Sequence, residues 1–414
     1  MNTPTVLVVL LAIAALGYVR GRAKASRLAP AAGQRRAHSR PQHHGMLVAV
    51  WAAAPGLAVL LVWAGLQARF GGESGADLST AAAVARVGLL LAVAIAGLTW
   101  GLSQITPRLR ARNQVEAVMR ALLLMASAIA VLTTAGIVLS LLFESLRFFA
   151  LVPVHEFLFG LHWSPQIAIR EDQVASSGAF GAVPVFAGTL LISAIAMLVA
   201  APLGLMSAIW MSEYAAPAVR ATVKPILEVL AGVPTVVYGF FAAVTLAPAL
   251  RELGGRIGLS VSSESALAAG VVMGVMIIPF VSSLSDDVFN AGPDSLRHGS
   301  YALGATRSET VRRVVMPAAL PGVVGGLMLA ISRAIGETMI VVMAAGLAAK
   351  LTANPFEAVT TVTVQIVTLL TGDQEFDSAK TLAAFGLGLV LFFVTLALNV
   401  LALAVVRRYR EAYE

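Results

Sequence analysis

The sequence contains no cysteine among its 414 residues. Disulfide bonds, thiolate metal sites and cysteine nucleophiles are therefore excluded, while the cellular compartment is left open. No lysine follows a glycine, so the Gly-x-x-x-x-Gly-Lys-[Ser/Thr] loop that holds nucleotide phosphates is absent as well. If ATP drives this protein, another chain must hydrolyse it.

Charge is also scarce, since 12% of the residues are charged, 58% are hydrophobic and the mean hydropathy is +0.85. A soluble fold needs more polar residues than this to cover its surface. Apolar runs of about 20 residues recur, and that length crosses a hydrocarbon core of roughly 30 Å. The composition predicts an all-α polytopic membrane protein with nine spans, near 3–19, 46–68, 85–104, 121–142, 182–207, 226–250, 267–284, 318–348 and 381–406.

The excess of basic residues follows membrane topology and does not indicate nucleic-acid binding. The net charge is +7, but the lysines and arginines lie in a few short loops. Twenty of the 29 fall on one side if the nine spans alternate, in segments 20–45, 105–120, 208–225, 285–317 and the carboxyl-terminal tail. Because Lys and Arg are retained in the cytoplasm, we expect the amino terminus outside and the carboxyl terminus inside.

Two parts of the chain differ in polar content. Residues 1–120 form a predicted amino-terminal membrane extension of about three helices with the basic linker 20–45, and residues 121–414 form the predicted transport core. The first run, 3–19, has no positive charge before it, so we expect a retained anchor and not a cleaved signal peptide. The six histidines lack metal-ligand spacing, and we expect neither a metal, a cofactor nor a catalytic nucleophile.

The most organised loop is 285–317, which we call the coupling segment. Asp294 follows a proline and can begin a short helix, and Gly304 can end it with a left-handed residue. Thr306 and Glu309 have the spacing of a capping box, which predicts the start of a second helix.

We expect Pro317 to end that second helix before the next span begins. Two short amphipathic helices joined at a glycine form a projection that fits the groove of a partner protein. A solvated connector explains the same pattern, and these residues alone do not decide between the two.

The run 318–348 contains two charges, Arg333 and Glu337, in "ISRAIGETMIVVM". As one helix, the run would place Arg333 fifteen residues from either end, roughly 22 Å along the axis and near the bilayer midplane. A charge there costs several kcal/mol and usually faces a bundle interior or an aqueous path. Either Arg333 and Glu337 pair to hold helices together, or Arg333 offers a forked donor to an oxyanion while Glu337 tunes its charge.

Other polar residues in the apolar runs carry less information. Tyr238 is a candidate for the path, although packing explains it too, and Pro234 predicts a break or kink in its helix. Thr338 is able to bond an anion or its own backbone. Lys224 and Glu228 are explained by interfacial pairing.

The stretch "HGSYALGATRSETVRRVVMP" resembles the EAA loop of bacterial ABC-transporter permeases, in which Glu-Ala-Ala-x-x-x-Gly precedes an aliphatic residue and Leu-Pro. Gly304, Val314 and Pro317 have the matching spacing. The positions of Glu-Ala-Ala are occupied by His298, Gly299 and Ser300.

Three further stretches, "EVLAGVPTVVYGFF", "SRAIGETM" and "WSPQ", are similar to the PstC-type permeases of phosphate uptake, and the resemblance covers roughly 121–414. It implies a type I (MetI-like) ABC importer permease of six helices in the bacterial inner membrane. It also implies a PstA-type sister permease, a PstB-type ATPase dimer and a periplasmic PstS-type phosphate-binding protein. The implied substrate-path residues are Arg333, Glu337, Thr338 and Tyr238, and the implied ATPase-coupling residues are His298, Gly299, Ser300, Gly304, Thr306, Glu309 and Pro317.

The expected function is therefore that of a permease subunit in an ATP-driven importer of inorganic phosphate. Three alternatives stay open at this point. They are a permease for another oxyanion such as phosphonate or molybdate, an ion-coupled secondary transporter, and a membrane scaffold or sensor. Against the secondary transporter, the sequence shows no matching pair of broken helices. The outer segments 143–181 and 349–380 are predicted to be interfacial or re-entrant.

Overall fold

The computed structural model describes residues 3–27, 38–70, 80–165, 178–371 and 378–410. The chain divides into two compact units, Met1–Ala135 and Gly136–Glu414. The division predicted at residue 120 stays a prediction. Within the described ranges, eight helices are long and apolar enough to cross a membrane. The chain is a multi-pass, all-α membrane protein, as the composition predicts.

The first unit contains α1 (Thr3–Arg27), α2 (Pro41–Phe70), α3 (Thr80–Ser103) and the beginning of α4 (Ala111–Leu151). Predicted span 85–104 falls in α3, whose apolar stretch, Val87–Ser103, is shorter than the eight candidate spans. Helices α2 and α3 pack closely, because a Cβ atom on Gly97 would lie 2.0 Å from the carbonyl oxygen of Trp51. Residues 28–37 of the basic linker lie outside the described residues.

The second unit is built from short and long helices and one two-stranded ribbon. After α4 come α5 (Val154–Phe159), β1 (Trp163–Ser164), β2 (Ala179–Phe180), α6 (Val183–Ile209), α7 (Pro217–Ala231), α8 (Thr235–Phe241), α9 (Ala247–Arg256) and α10 (Ala266–Ala291). Then follow α11 (Asp294–Ala302), α12 (Arg307–Thr310), α13 (Met316–Ile335), α14 (Met339–Ala344), α15 (Val362–Leu370) and α16 (Ala379–Arg410). The six candidate spans from α4 onward, with the three helices before them, agree with the predicted fold class.

The described residues of the second unit form three hydrophobic clusters, of which two are large. The larger one joins α6, α10, α13 and α14 through small and flexible side chains such as Ala196, Met273 and Ala330. The other is aromatic: Phe148 contacts Phe157 and Phe180 edge to face. Strands β1 and β2 are antiparallel, and their ribbon carries Trp163 into the aromatic cluster.

One predicted span, 226–250, is interrupted. Helix α7 ends at Ala231, and α8 begins only at Thr235. Pro234 precedes the new helix, and its missing N–H and fixed φ suit a helix boundary. The break predicted at Pro234 is confirmed, and the candidate span here runs from Thr235 to Arg256.

The span predicted at 318–348 has different limits. Its candidate span runs from Arg307 to Ile335, so the prediction that Pro317 ends a helix is wrong. A π-helical turn, Val311–Val315, precedes this proline, and the N–H of Met316 bonds to the carbonyl oxygen of Val311. The wider turn admits Pro317, which has no N–H to place, as an early residue of α13.

The segments predicted to lie on the outer side are partly buried. Helix α15 has nine residues, too few to span a bilayer, and it buries Val362, Val364 and Leu369 in the second unit. Segment 143–181 contains the end of α4, α5 and the ribbon. Residues 166–177, including the last residue of "WSPQ", and residues 372–377 lie outside the described residues.

Candidate functional site

The charges of "SRAIGETM" lie at a break in the membrane helix. Helix α13 ends at Ile335, and α14 begins at Met339. The three residues between them, Gly336–Thr338, are called the gap below. Arg333 is therefore in the last turn of α13, and its predicted position at the centre of a continuous helix 318–348 is wrong. The backbone turns at Gly336, whose N–H bonds to the carbonyl oxygen of Ser332 at 3.2 Å.

Glu337 caps the second helix. Its Oε1 accepts hydrogen bonds from the N–H groups of Met339 at 3.1 Å and Ile340 at 3.5 Å. The first N–H groups of a helix have no partner within it, and a carboxylate also interacts favourably with that end. The Arg333–Glu337 pair, one of the two alternatives that the sequence left open, is not formed. Helix α13 ends between the two residues, and an i,i+4 contact requires one helix through both.

Arg333 instead contacts an aromatic ring. Its guanidinium carbon lies 5.7 Å from the ring centre of Phe280 on α10, which is a cation–π contact. Among the residues that the structure describes, no carboxylate forms an ion pair with Arg333. The side chain is exposed within the single chain, so its donors are available to a further partner.

Thr338 and Tyr238 occupy different positions. The hydroxyl of Thr338 lies 3.5 Å from the carbonyl oxygen of Gly336, which is a weak contact at best. Tyr238 lies on α8 and donates from its hydroxyl to the carbonyl oxygen of Leu230 at 3.1 Å. Because Pro234 offers no N–H to that oxygen, Tyr238 stabilises the break between α7 and α8. Arg333, Glu337 and Thr338 share one site, and Tyr238 supports an adjacent helix.

The coupling segment has the predicted form. Helix α11 begins after Pro293, and Gly304 adopts a φ of +82°, in the left-handed region. Thr306 and Glu309 form both bonds of the capping box: the N–H of Thr306 donates to Glu309 Oε2 at 2.9 Å, and the N–H of Glu309 donates to Thr306 Oγ1 at 3.3 Å. Two helices flank Gly304 as predicted, but the second is not a short separate helix, because it continues through the π-helical turn into α13.

The coupling residues form an exposed projection. His298 and Gly299 are exposed, and Ser300 joins the two arms through a 2.9 Å hydrogen bond to Thr310. Leu303, at the turn, is 90% exposed.

The anchor of this projection could not be predicted from the sequence pattern. Arg297 donates from Nε and Nη2 to Oε1 of Glu213, at 3.0 and 2.9 Å. Glu213 lies in the π-helical turn Trp210–Tyr214 that follows α6 and is 4% exposed. Arg297 Nη2 also donates to the carbonyl oxygen of Phe289 at 2.6 Å, so one side chain joins α11, α10 and the end of α6. One sequence signal pointed to Glu213, since it is a carboxylate that directly follows an apolar span, but it did not indicate Arg297 as the partner.

A second ionic cluster fastens α7. Arg220 donates to both carboxylate oxygens of Asp286, at 3.1 and 2.9 Å, and Lys224 bridges Asp286 and Asp287 at 2.9 and 2.8 Å. Asp286 is fully buried. Hydrogen bonds first to Asp287 and then to Asp286 raise the pKa of Lys224. Because α7 buries no side chain, these pairs hold it to α10, and the predicted interfacial pairing of Lys224 is confirmed.

A cavity of about 560 Å³ opens beside α7, and Arg220, Lys224 and Glu228 contribute to its lining. Its two cations are engaged by the carboxylates of α10. Within the described ranges, no group of three His, Asp or Glu side chains is arranged to hold a metal ion.

Comparisons with known proteins place these features in a family. A family model described as the binding-protein-dependent transport system inner membrane component matches residues 200–411. A second one, described as phosphate ATP-binding cassette transporter, matches residues 7–74. The amino-terminal helices thus match a family of their own.

Two relatives and one solved structure illustrate the similarity. The probable ABC transporter permease protein YqgH of Bacillus subtilis is 36% identical over 240 residues, which cover 58% of this chain and 74% of the relative. The phosphate transport system permease protein PstC 1 of Mycobacterium tuberculosis is 34% identical over 285 residues, covering 61% and 83%. A bacterial ABC transporter involved in the import of the acidic polysaccharide alginate is 16% identical, with a TM-score of 0.47, covering 72% of this chain and 99% of that one. The chain therefore belongs to the inner-membrane components of binding-protein-dependent ABC transporters, and within them to the PstC-type permeases.

Proposed function

We propose that the chain is the permease subunit of an ATP-driven importer of inorganic phosphate, in which Arg333 contacts the passing anion. Relatives named as phosphate transport system permeases support the substrate, and so does the family matched by residues 7–74. No observation favours phosphonate or molybdate. The role of Arg333 rests on one observation: no carboxylate among the described residues pairs with it, because the helix breaks at Gly336–Thr338.

Arg333 needs a polar partner. A guanidinium in a membrane helix is costly unless it faces a polar partner or a path. The nearest acidic residue along the chain, Glu337, is engaged by backbone N–H groups at 3.1 and 3.5 Å. The planar fork of Arg333 is then available to bind two oxygens of a phosphate at once.

The other residues of the gap have supporting roles in this proposal. Thr338 forms only a 3.5 Å contact with its own backbone, so its hydroxyl is able to donate to a phosphate oxygen. Glu337 fixes the start of α14 and adds a negative charge that keeps anion binding weak, which suits release. Tyr238 acts indirectly, because it holds the beginning of α8 in place.

The coupling segment is the proposed docking surface for the ATPase. Its exposed residues, among them His298 and Leu303, would enter a groove of a separate ATP-hydrolysing subunit. The capping box at Thr306 and Glu309 and the left-handed Gly304 give the projection a fixed shape. A sister permease, an ATPase dimer and a phosphate-binding protein complete the proposed complex.

The proposed orientation follows the distribution of basic residues. The coupling segment faces the cytoplasm, and with it the carboxyl terminus, while the amino terminus lies outside. The sequence argument against a secondary transporter is that repeats with broken helices at matching positions are lacking. It is weakened by the breaks before Thr235 and before Met339. Membership of the ABC permeases is the stronger reason to set that alternative aside.

Uptake by the assembled complex tests the proposal. The permease pair, ATPase and binding protein are reconstituted in vesicles, and ATP-dependent uptake of radiolabelled phosphate is measured with molybdate or a phosphonate as competitor. We expect Arg333→Gln to abolish uptake while the complex still assembles, because the change removes the charge and keeps much of the length. Arg333→Lys keeps the positive charge but removes the planar guanidinium that binds two oxygens at once, and we expect uptake to fall at least tenfold.

Arg251→Gln is the matched control, since this exposed arginine lies on α9, away from the gap. It should leave uptake unchanged. Normal phosphate uptake by Arg333→Gln would refute the role of Arg333. Uptake of molybdate in preference to phosphate would refute the proposed substrate.

A further inference from the structure

The gap that follows Arg333 is fixed from outside its own helices. The hydroxyl of Thr363, on α15, donates to the backbone carbonyl oxygen of Glu337 at 2.8 Å. Because Glu337 lies between two helices, its carbonyl depends on a partner from elsewhere. Thr363 supplies that partner across 26 residues of chain.

A second threonine orients this bond. The hydroxyl oxygens of Thr361 and Thr363 lie 3.1 Å apart. A hydroxyl has one proton, and that of Thr363 is directed to Glu337, so Thr361 is the donor between the two. Thr361 is buried, which shields the pair from exchange with water.

Helix α15 is in turn held by Gln365. Its Oε1 accepts from the indole N–H of Trp163 at 2.8 Å, and its Nε2 donates to the carbonyl oxygen of Leu347 at 3.2 Å and to Thr360 Oγ1 at 3.1 Å. Both amide protons and the oxygen are therefore used in a buried position. Trp163 belongs to β1, so the amide connects the ribbon to α15.

We infer that Thr363 and Gln365 are positioning residues for the transport site. They set where the backbone between α13 and α14 lies, and hence the positions of Arg333 and Glu337, and they tie that backbone to the β1–β2 ribbon. This inference rests on the proposed function of the gap. None of these side chains contacts the anion.

The hydrogen bonds, and not side-chain packing, carry the inference. A buried amide is costly unless all its groups are bonded, so an apolar side chain would serve better if α15 needed only to pack. Likewise valine has nearly the shape of threonine, and it would fill the position of Thr363 without reaching the carbonyl of Glu337. Losing this bond leaves the carbonyl oxygen of Glu337 without that donor, which allows the gap to shift.

The test compares three substitutions in α15 within the reconstituted complex. Thr363→Val removes the hydroxyl and should lower maximal phosphate uptake about tenfold, while the amount of assembled complex is unchanged. Thr363→Ser keeps the hydroxyl and should retain uptake within about twofold. Thr368→Val is the matched control, because among the described residues the hydroxyl of Thr368 bonds only to the carbonyl oxygen of Gln365 in its own helix, at 3.0 Å.

A second readout does not depend on the substrate. The chain has no cysteine, and a Cβ atom on Gly336 would have ordinary contacts, 3.6 Å at the nearest, so Gly336→Cys introduces one thiol into the gap. Adding Thr363→Val, or Trp163→Phe to remove the indole donor, should change its labelling rate at least about threefold. Thr363→Ser and Thr368→Val should not change it.

The outcomes separate the two proposals. If the wild-type complex takes up no phosphate, the proposed function fails, and the labelling rates still decide whether Thr363 positions the gap. If Thr363→Val matches wild type in uptake and in labelling, the inference fails alone. Equal loss of assembly in Thr363→Val and Thr368→Val would also overturn it, because packing would then explain both.

Discussion

The carboxylate of Glu337 accepts its hydrogen bonds from the backbone N–H of Met339, 3.1 Å away, and from that of Ile340, although Arg333 precedes it by the spacing of one helical turn. This choice of partner follows from the break at Gly336. It leaves the positive charge of Arg333 without a carboxylate among the described residues and makes Glu337 a structural residue of α14. Substitutions can therefore separate the proposed anion contact of Arg333 from the capping role of Glu337.

Glu337→Gln and Glu337→Ala should differ in stability. Glutamine keeps an oxygen that accepts from the N–H groups of Met339 and Ile340, whereas alanine leaves them without a partner. We expect Glu337→Ala to lower the free energy of unfolding by about 1 kcal/mol, the usual worth of a helix cap, and Glu337→Gln to lower it much less. Thermal unfolding of the purified complex measures both. Equal destabilisation would mean that the charge matters more than the cap.

Arg297→Gln should detach the coupling segment from the membrane helices. The change leaves Glu213 buried without its cation, and breaking a buried ion pair in this way costs about 3–5 kcal/mol. We expect the permease to lose most of the ATPase that co-purifies with it. Arg251→Gln is the control, because Arg251 is exposed on α9 and lies outside the coupling segment. Retention of the ATPase by Arg297→Gln would contradict the anchoring role.

Gly304 and Gly299 offer a paired test of the projection. Gly304 has a φ of +82°, so Gly304→Val should strain the backbone by at least 1–2 kcal/mol and uncouple ATP hydrolysis from uptake. Gly299 lies inside α11 with open space where a Cβ would be, and Gly299→Ala should be neutral or stabilising by up to ~1 kcal/mol. The ratio of phosphate transported to ATP hydrolysed reports coupling. An unchanged ratio in Gly304→Val would show that the turn is dispensable.

The ionic cluster on α7 predicts a dependence on alkaline pH. The pKa of Lys224 is raised in the folded chain, first by its bond to Asp287 and then by Asp286. Its stabilising contribution is therefore complete below the unfolded value of about 10.4 and is lost as pH rises through the higher folded value. Thermal unfolding between pH 8 and 11 should show this loss in wild type and not in Lys224→Met. The same dependence of stability on pH in wild type and in Lys224→Met would show that Lys224 does not cause the loss.

Local signals in the sequence predicted much of the architecture. Hydropathy located the candidate spans, Pro234 marked a break, and the spacing of Thr306 and Glu309 marked a helix start, because each of these features depends on neighbouring residues only. The coupling segment was predicted for the same reason. Its form was correct apart from Pro317, which a π-helical turn admits into the helix.

The geometry of the site could not be predicted from the sequence, because it depends on contacts between residues far apart in the chain. A continuous helix 318–348 was expected because its residues are apolar, but α13 ends at Ile335 and the side chain of Glu337 bonds to the backbone of α14. The pairs Arg297 with Glu213 and Gln365 with Trp163 join residues separated by 84 and 202 positions. Such partners are brought together by helix packing, and no local pattern predicts which carboxylate or amide is chosen.

The two interrupted helices have a mechanical consequence. Helices α8 and α14 pack against each other at Gly239, where a Cβ atom would lie 2.9 Å from the sulfur of Met343 and 3.1 Å from the carbonyl oxygen of Met339. Each is connected to the helix before it by three non-helical residues. The contact therefore joins the first helical residues after the two breaks. A displacement of α14 would be transmitted directly to α8 and, because the helix continues through the π-helical turn Ala242–Leu246, to α9.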